Sequence, residues 1–192
     1  YSGPVNVSAA SAINLADSNG PNTATARNIT LSGVVSGSGN LTLDGNNTAS
    51  SGNQISGTLT LNNAGTNWTG DLLINRGTVT LASAVSPSFT SNDVTFNAFG
   101  RVILQGVNAQ TLTRTGLLTY GAGSVGEFQV DNTSASATTD FLVDQSGLMT
   151  LGSGGTGASV RLFLADAASK LNITGGVILG GNSSISVGGD AA

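Results

Sequence analysis

A chain of 192 residues is long enough for one domain with a continuous core. Only 8% of it is charged and 39% is hydrophobic, which excludes the charge-rich, apolar-poor make-up of disordered chains. Net charge is −4, and the one lysine and five arginines are scattered, which argues against a nucleic-acid partner needing a clustered basic face. Without cysteine or histidine, disulfide staples, thiolate metal sites and the commonest general base are all excluded.

Taken in chain order, residues 1–28 carry Val5/Val7 and Ile13/Leu15 as two short strands, with a turn at Ser18-Asn-Gly-Pro21. Ile29/Leu31 leads into the most regular stretch. There, apolar residues recur two apart: Leu41/Leu43, Leu59/Leu61, Leu72/Ile74 and Val79/Leu81. Period two places both members of a pair on one face of a strand, with Thr or another spacer on the other. Gly, Asn and Asp divide the pairs, so each strand is short. Leu41, Leu43, Leu59, Leu61, Ile74 and Leu81 are the expected core. Val94/Phe96 and Val102/Leu104 follow a loop holding Pro87.

The segment Ser36-Gly-Ser-Gly-Asn-Leu-Thr-Leu43, Gly57-Thr-Leu-Thr-Leu61, Asn67-Trp-Thr-Gly70 and Ile74-Asn-Arg-Gly-Thr-Val79 resembles the autotransporter-associated β-strand repeat of bacterial secreted and surface proteins. Trp68 takes the aromatic place, and the likeness covers residues 31–106. The chain departs from the pattern in the longer link Asn47-Thr-Ala-Ser-Ser-Gly-Asn and in Asn67-Trp, which lacks an intervening Thr. The resemblance implies a right-handed parallel β-helix exposed outside the cell, with motif positions that are structural and not catalytic.

Beyond residue 106 the pattern loosens. Leu112 and Leu117-Leu-Thr-Tyr120 read as strand residues. Glu127-Phe-Gln-Val-Asp131 and Asp140-Phe-Leu-Val-Asp144 are similar to each other, as are Leu171-Asn-Ile-Thr-Gly and Ile185-Ser-Val-Gly-Gly. Asp166-Ala-Ala-Ser-Lys170 is too short for a helix and reads as a turn. The fold expected is all-β, a single-stranded right-handed parallel β-helix (β-solenoid), forming one domain over residues 1–192. Its parts are N-terminal strands (1–28), a repeat-like core (29–106) and looser C-terminal coils (107–192). Coils of roughly 20–24 residues give about eight or nine coils and a body on the order of 40 Å long. The alternative is a β-sandwich, for which the hairpin turns Asp44-Gly and Ser18-Asn-Gly are too few.

Candidate chemistry is sparse. Alternation around Phe128/Val130 and Phe141/Val143 leaves Glu127, Asp131, Asp140 and Asp144 outside. Four outward carboxylates are candidate Ca²⁺ ligands, or an acid/base pair for a polysaccharide-cleaving β-helix, although a solvated strand edge is the leading expectation. Chelation is accordingly expected to leave folding unaffected, and no cofactor is expected. The Gly-rich pieces Gly37-Ser-Gly39 and Gly152-Ser-Gly-Gly-Thr-Gly157 lack the Lys and following helix of a phosphate loop and read as corner turns. Sequons at Asn6, Asn28, Asn40, Asn46, Asn67, Asn132, Asn172 and Asn182 read as turn and ladder asparagines. Trp68 and Tyr120 could offer sugar platforms, with packing the leading expectation for Trp68.

The function expected is a non-enzymatic structural segment of a secreted or cell-surface bacterial protein, including a head-to-tail filament subunit. An adhesin or carbohydrate-binding module is the alternative and a polysaccharide-processing enzyme a remote one. The chain opens Tyr1-Ser-Gly-Pro without initiator Met or apolar leader, so it is expected to be a processed or excised segment. No run approaches the roughly 20 apolar residues of a membrane helix. Partners expected are a second copy or neighbouring coils of a longer chain, with a glycan or cell surface also possible. Val5, Val7, Ile13 and Leu15 at one end and Val177, Leu179, Ile185 and Val187 at the other continue the strand pattern and are the residues expected to drive self-assembly.

Overall fold

The computed structural model describes residues 1–15, 27–44, 57–134 and 139–189. The chain is a parallel β-solenoid with 54% of its residues in strands, and it climbs about six turns from first coil to last. The first coil holds β1 (Val5–Asn6), β2 (Ser11–Asn14) and β3 (Asn28–Leu31); the second holds β4 (Val35–Ser36), β5 (Leu41–Asp44) and β6 (Thr58–Leu61). In the next two coils the strands fuse around a corner into β7 (Leu72–Leu81) and β8 (Val94–Gly106). Three strands per coil return in β9 (Thr111–Arg114), β10 (Leu118–Tyr120) and β11 (Val125–Asn132). β12 (Phe141–Gln145), β13 (Met149–Leu151) and β14 (Ser159–Leu164) follow, then β15 (Ser169–Ile173), β16 (Val177–Leu179) and β17 (Ser184–Gly189).

Each coil therefore contributes to three walls. The first wall carries β1, β4, β9, β12 and β15, joined through residues 67–69 and 90–92. The second runs β2, β5, the start of β7, the start of β8, β10, β13 and β16. The third runs β3, β6, the rest of β7, the rest of β8, β11, β14 and β17. Every ladder among the described residues is parallel, which rules out the β-sandwich. The antiparallel bridge among the described residues, Ser153–Thr156, closes a surface turn.

The period-two pattern explains the interior. On the second wall, Leu43, Ile74, Phe96, Tyr120 and Leu151 form one inward column, and Leu41, Leu72, Val94, Leu118 and Met149 another. On the third wall, Leu59, Val79, Val102, Phe128 and Leu162 stack likewise. The six expected core residues, Leu41, Leu43, Leu59, Leu61, Ile74 and Leu81, are all no more than 3% exposed. Burying each such side chain stabilises the fold by roughly 1.5–3 kcal/mol, so whole columns are needed to offset the backbone entropy of ordering a coil.

The expected coil length is corrected. Asn75 and Asn97 are stacked neighbours 22 residues apart, whereas Val5 and Val35 are separated by 30 and Glu127 and Arg161 by 34. Coils lengthen because residues are inserted at corners, where the chain leaves one wall before joining the next. About six steps of 4.8 Å give a stack of about 29 Å, shorter than expected. The two internal near-repeats also change meaning. Glu127–Asp131 and Asp140–Asp144 lie on different walls, as do Leu171 and Ile185. Those similarities relate walls and not coils. Asp166–Lys170 is a turn, with Asp166 accepting the Ala168 N–H, and Pro87 sits in a short 3-10 turn at Ser86–Ser88. The turn at Ser18-Asn-Gly-Pro21, the long link at 47–53 and the Asp44-Gly turn lie wholly or partly outside the described residues.

Candidate functional site

The outer surface of the third wall gathers side chains that lie far apart in sequence. In-register pairing sets Arg76, Phe99, Val125 and Ser159 in one outward row. The next row is Thr78, Arg101, Glu127, Arg161 and Ser186, and the next is Thr80, Ile103, Gln129, Phe163 and Gly188. Arg101 Nε lies 2.6 Å from Glu127 Oε1, pairing by charge though not along its N–H axis, and Arg161 Nη1 donates to Glu127 Oε2 at 3.3 Å. Arg161 also lies over the Phe163 ring at 4.5 Å, and Arg76 over Phe99 at 5.8 Å. Between these rows opens a groove of about 210 Å³, lined by Phe99, Gly100, Arg101, Val125, Gly126, Glu127 and Arg161. Gly100 and Gly126 line its floor with backbone, their Cα faces turned inward to the core, and neither position accepts a side chain. A Cβ on Gly100 would overlap Ile74, and one on Gly126 would crowd the Tyr120 ring.

Inside the solenoid, at the corner between the first and second walls, runs a column of buried polar side chains. Trp68 Nε1 donates to Gly39 O at 2.8 Å, and Asn92 Nδ2 donates to the carbonyls of Trp68 and Gly70. Arg114 donates to Asn92 O at 2.6 Å, to Phe89 O at 3.3 Å and to Gln145 Oε1 at 3.1 Å. Gln145 Nε2 closes the series on the carbonyls of Gly116 and Gly147. Corner turns leave carbonyls pointing inward, and these side chains satisfy them. Glycine is required beside them. A Cβ on Gly70 would overlap Gly39 O, and one on Gly147 would overlap Gly116 O. Arg114 is fully buried with the Phe89 ring at 5.0 Å, and burial pulls its guanidinium down from its ordinary value to about 10, opposed by nearby Tyr120 and Asp93. It remains charged at neutral pH.

The structure places the sequence-derived candidates as follows. Glu127 faces outward as alternation requires, but it is covered by two arginines and only 8% exposed, which corrects the expectation of a solvated carboxylate. Asp131 accepts from Gln105 Nε2, Asp144 accepts from Thr174 Oγ1, and Asp140 is exposed, 4.0 Å from Lys170 Nζ. The four carboxylates are divided between the third and first walls. Among the described residues, no three acidic side chains stand close enough to hold a metal ion. Gly37, with φ at +100°, turns a corner against Val7 O, in keeping with the corner reading of the Gly-rich pieces. The asparagines act between coils: Asn28 Oδ1 accepts from Thr58 N and Asn40 Oδ1 from Asp71 N. Asn46 lies outside the described residues.

Neither aromatic candidate is a surface platform. Trp68 is buried against Phe89, and Tyr120 stacks flat on Phe96 at 4.6 Å. The residues expected to drive self-assembly differ between the two ends. Val177, Leu179, Ile185 and Val187 are exposed, together with Ile178. At the other end Val7 and Leu15 are buried, so the side chains of that set accessible there are the half-buried Val5 and Ile13. Sequence reasoning missed the Arg101–Glu127–Arg161 ladder and the inward Arg114. The alternation Thr111-Leu-Thr-Arg114 puts Arg114 on the side of Leu112 and could have disclosed the second. The ladder depended on coil lengths that no local pattern supplied.

Fold and surface together define a class: a parallel β-solenoid with a charged outer groove and an apolar final coil. Comparison with protein-family models, curated proteins and solved structures finds no match.

Proposed function

We propose that this chain is a non-enzymatic, rod-forming segment of a secreted or cell-surface bacterial protein, extended by stacking one coil on another. The observation that carries the reading is the last coil. Its β15, β16 and β17 each have a strand neighbour on one side only among the described residues. Val177, Ile178, Leu179, Ile185 and Val187 are between 40% and 73% exposed there. An apolar, half-paired sheet edge of this kind recruits another strand. The partner proposed is the first coil of a second copy. Its Ile13 and Ile29 stand at the head of the columns that Leu179 and Val187 end, and a contact that never closes produces a filament. The resemblance of residues 31–106 to the autotransporter-associated repeat supports the extracellular placement.

The experiment is light scattering over a wide concentration range, with negative-stain microscopy of the same samples. Rods lengthening with concentration are expected. Leu179→Glu, a change at an exposed site, should shorten them while leaving the circular dichroism spectrum intact. A monodisperse monomer at high concentration would overturn the self-stacking reading, and turnover of any polysaccharide in a substrate panel would overturn the non-enzymatic one.

A further inference from the structure

We infer that the groove on the outer third wall binds a carboxylate-bearing polysaccharide. This does not rest on the stacking reading, because the groove lies on the side of the solenoid and not at its ends. The chain is acidic overall, with ten acidic and six basic residues. Yet the groove is lined by Arg101 and Arg161, in one row of this wall, against the single carboxylate of Glu127. The local sign is opposite to that of the molecule, and a field of that kind draws in anions.

The groove is also built for a carboxylate in particular. Glu127 already shows the site accepting one between two guanidiniums, at 2.6 and 3.3 Å. Arg161 uses one of its five donors there and keeps half of its side chain in solvent, so its fork can take a second planar anion. Arg101 and Arg161 flank Glu127 two strand spacings apart, about 9.6 Å, a span covered by a disaccharide. Phe99 and the exposed Val125 supply the apolar surface on which the ring face of a sugar rests. A polymer alternating acidic and neutral sugars fits the alternation of charge and apolar surface along the wall. Cleavage is not part of the inference, because the acid lining the groove, Glu127, is held between two arginines.

The test is calorimetric titration of the whole chain with hyaluronate oligomers, in which uronate and neutral sugars alternate, with neutral dextran and dextran sulfate as comparators. Binding of the uronate oligomer that weakens with salt, and no binding of dextran, is expected. Arg161→Ala should weaken it at least tenfold. Glu127→Gln, which removes the competing internal carboxylate, should tighten it several-fold. A merely structural role for Glu127 would not predict that gain. Unchanged melting curves for both variants would show that they remain folded; if Arg161→Ala melts early, Arg161→Gln serves in its place. No uronate binding, equal binding of dextran, preference for dextran sulfate, or an Arg161 variant that binds as well as the original would each overturn the inference.

Discussion

Tyr120 lies flat on Phe96 with its hydroxyl buried and no hydrogen-bond acceptor beside it, near the equally buried Arg114. A buried unsatisfied hydroxyl costs about 1–3 kcal/mol, so Tyr120→Phe should stabilise the chain by about 1 kcal/mol or more at neutral pH, read from urea melts. The same variant isolates a pH effect. Burial pushes the Tyr120 phenol above its ordinary value of 10, and the charge of Arg114 only partly opposes this. The folded chain then keeps a proton that the unfolded chain loses above pH 10. The contribution of the neutral phenol is complete below pH 10 and declines as pH rises beyond it. Arg114 runs the other way. Its folded value of about 10 lies below its ordinary value, so its contribution to stability increases as pH rises past 10. The stability advantage of Tyr120→Phe should therefore widen from pH 9 to pH 11, and a constant difference would refute the assignment. Arg114→Met should cost about 3 kcal/mol or more, because Gln145 Oε1 and the carbonyls of Phe89 and Asn92 lose their donor in a dry interior.

At the scale of single strands, the paired leucines explain most of what holds. β6 presents Leu59 and Leu61 inward and Thr58 and Thr60 outward, and β7 repeats the pattern with Val79 and Leu81 opposite Thr80. Leu61→Ala should cost roughly 2–5 kcal/mol, since flanking Leu31 and Leu81 sit on rigid strands that cannot close the gap. A loss under 1 kcal/mol in a chemical melt would mean that the column relaxes. Strands of this kind were legible in the sequence because alternation is local, as were the core leucines and the turn at Asp166. The partners of a strand were not. Whether Glu127 meets Arg101, or Arg114 meets Gln145, depends on how many residues each corner consumes. Corner length leaves no periodic trace. Burial of Glu127 was illegible for the same reason, since its cover comes from two other coils.

Over the whole molecule, variable coil length coexists with constant strand spacing, so the stack adds residues at its corners without losing register. That is why a count from a fixed repeat of 20–24 residues overestimated the number of coils. Among the described residues no strand pairs with another of its own coil; each pairs only with strands of the neighbouring coils. Under tension this has a mechanical meaning. Load applied between the two ends along the stacking axis bears on one coil–coil interface after another, so the molecule should give way stepwise and not in a single rupture. Each step should release one coil of 20 to 34 residues, or roughly 70 to 120 Å of extended chain. Single-molecule pulling would display that as an uneven sawtooth, its longer teeth belonging to coils such as the one between Glu127 and Arg161. A single tooth of full contour length would mean that the walls fail together. Stepwise release would make the solenoid an extensible tether, lengthening by one coil at a time while the remainder keeps its shape.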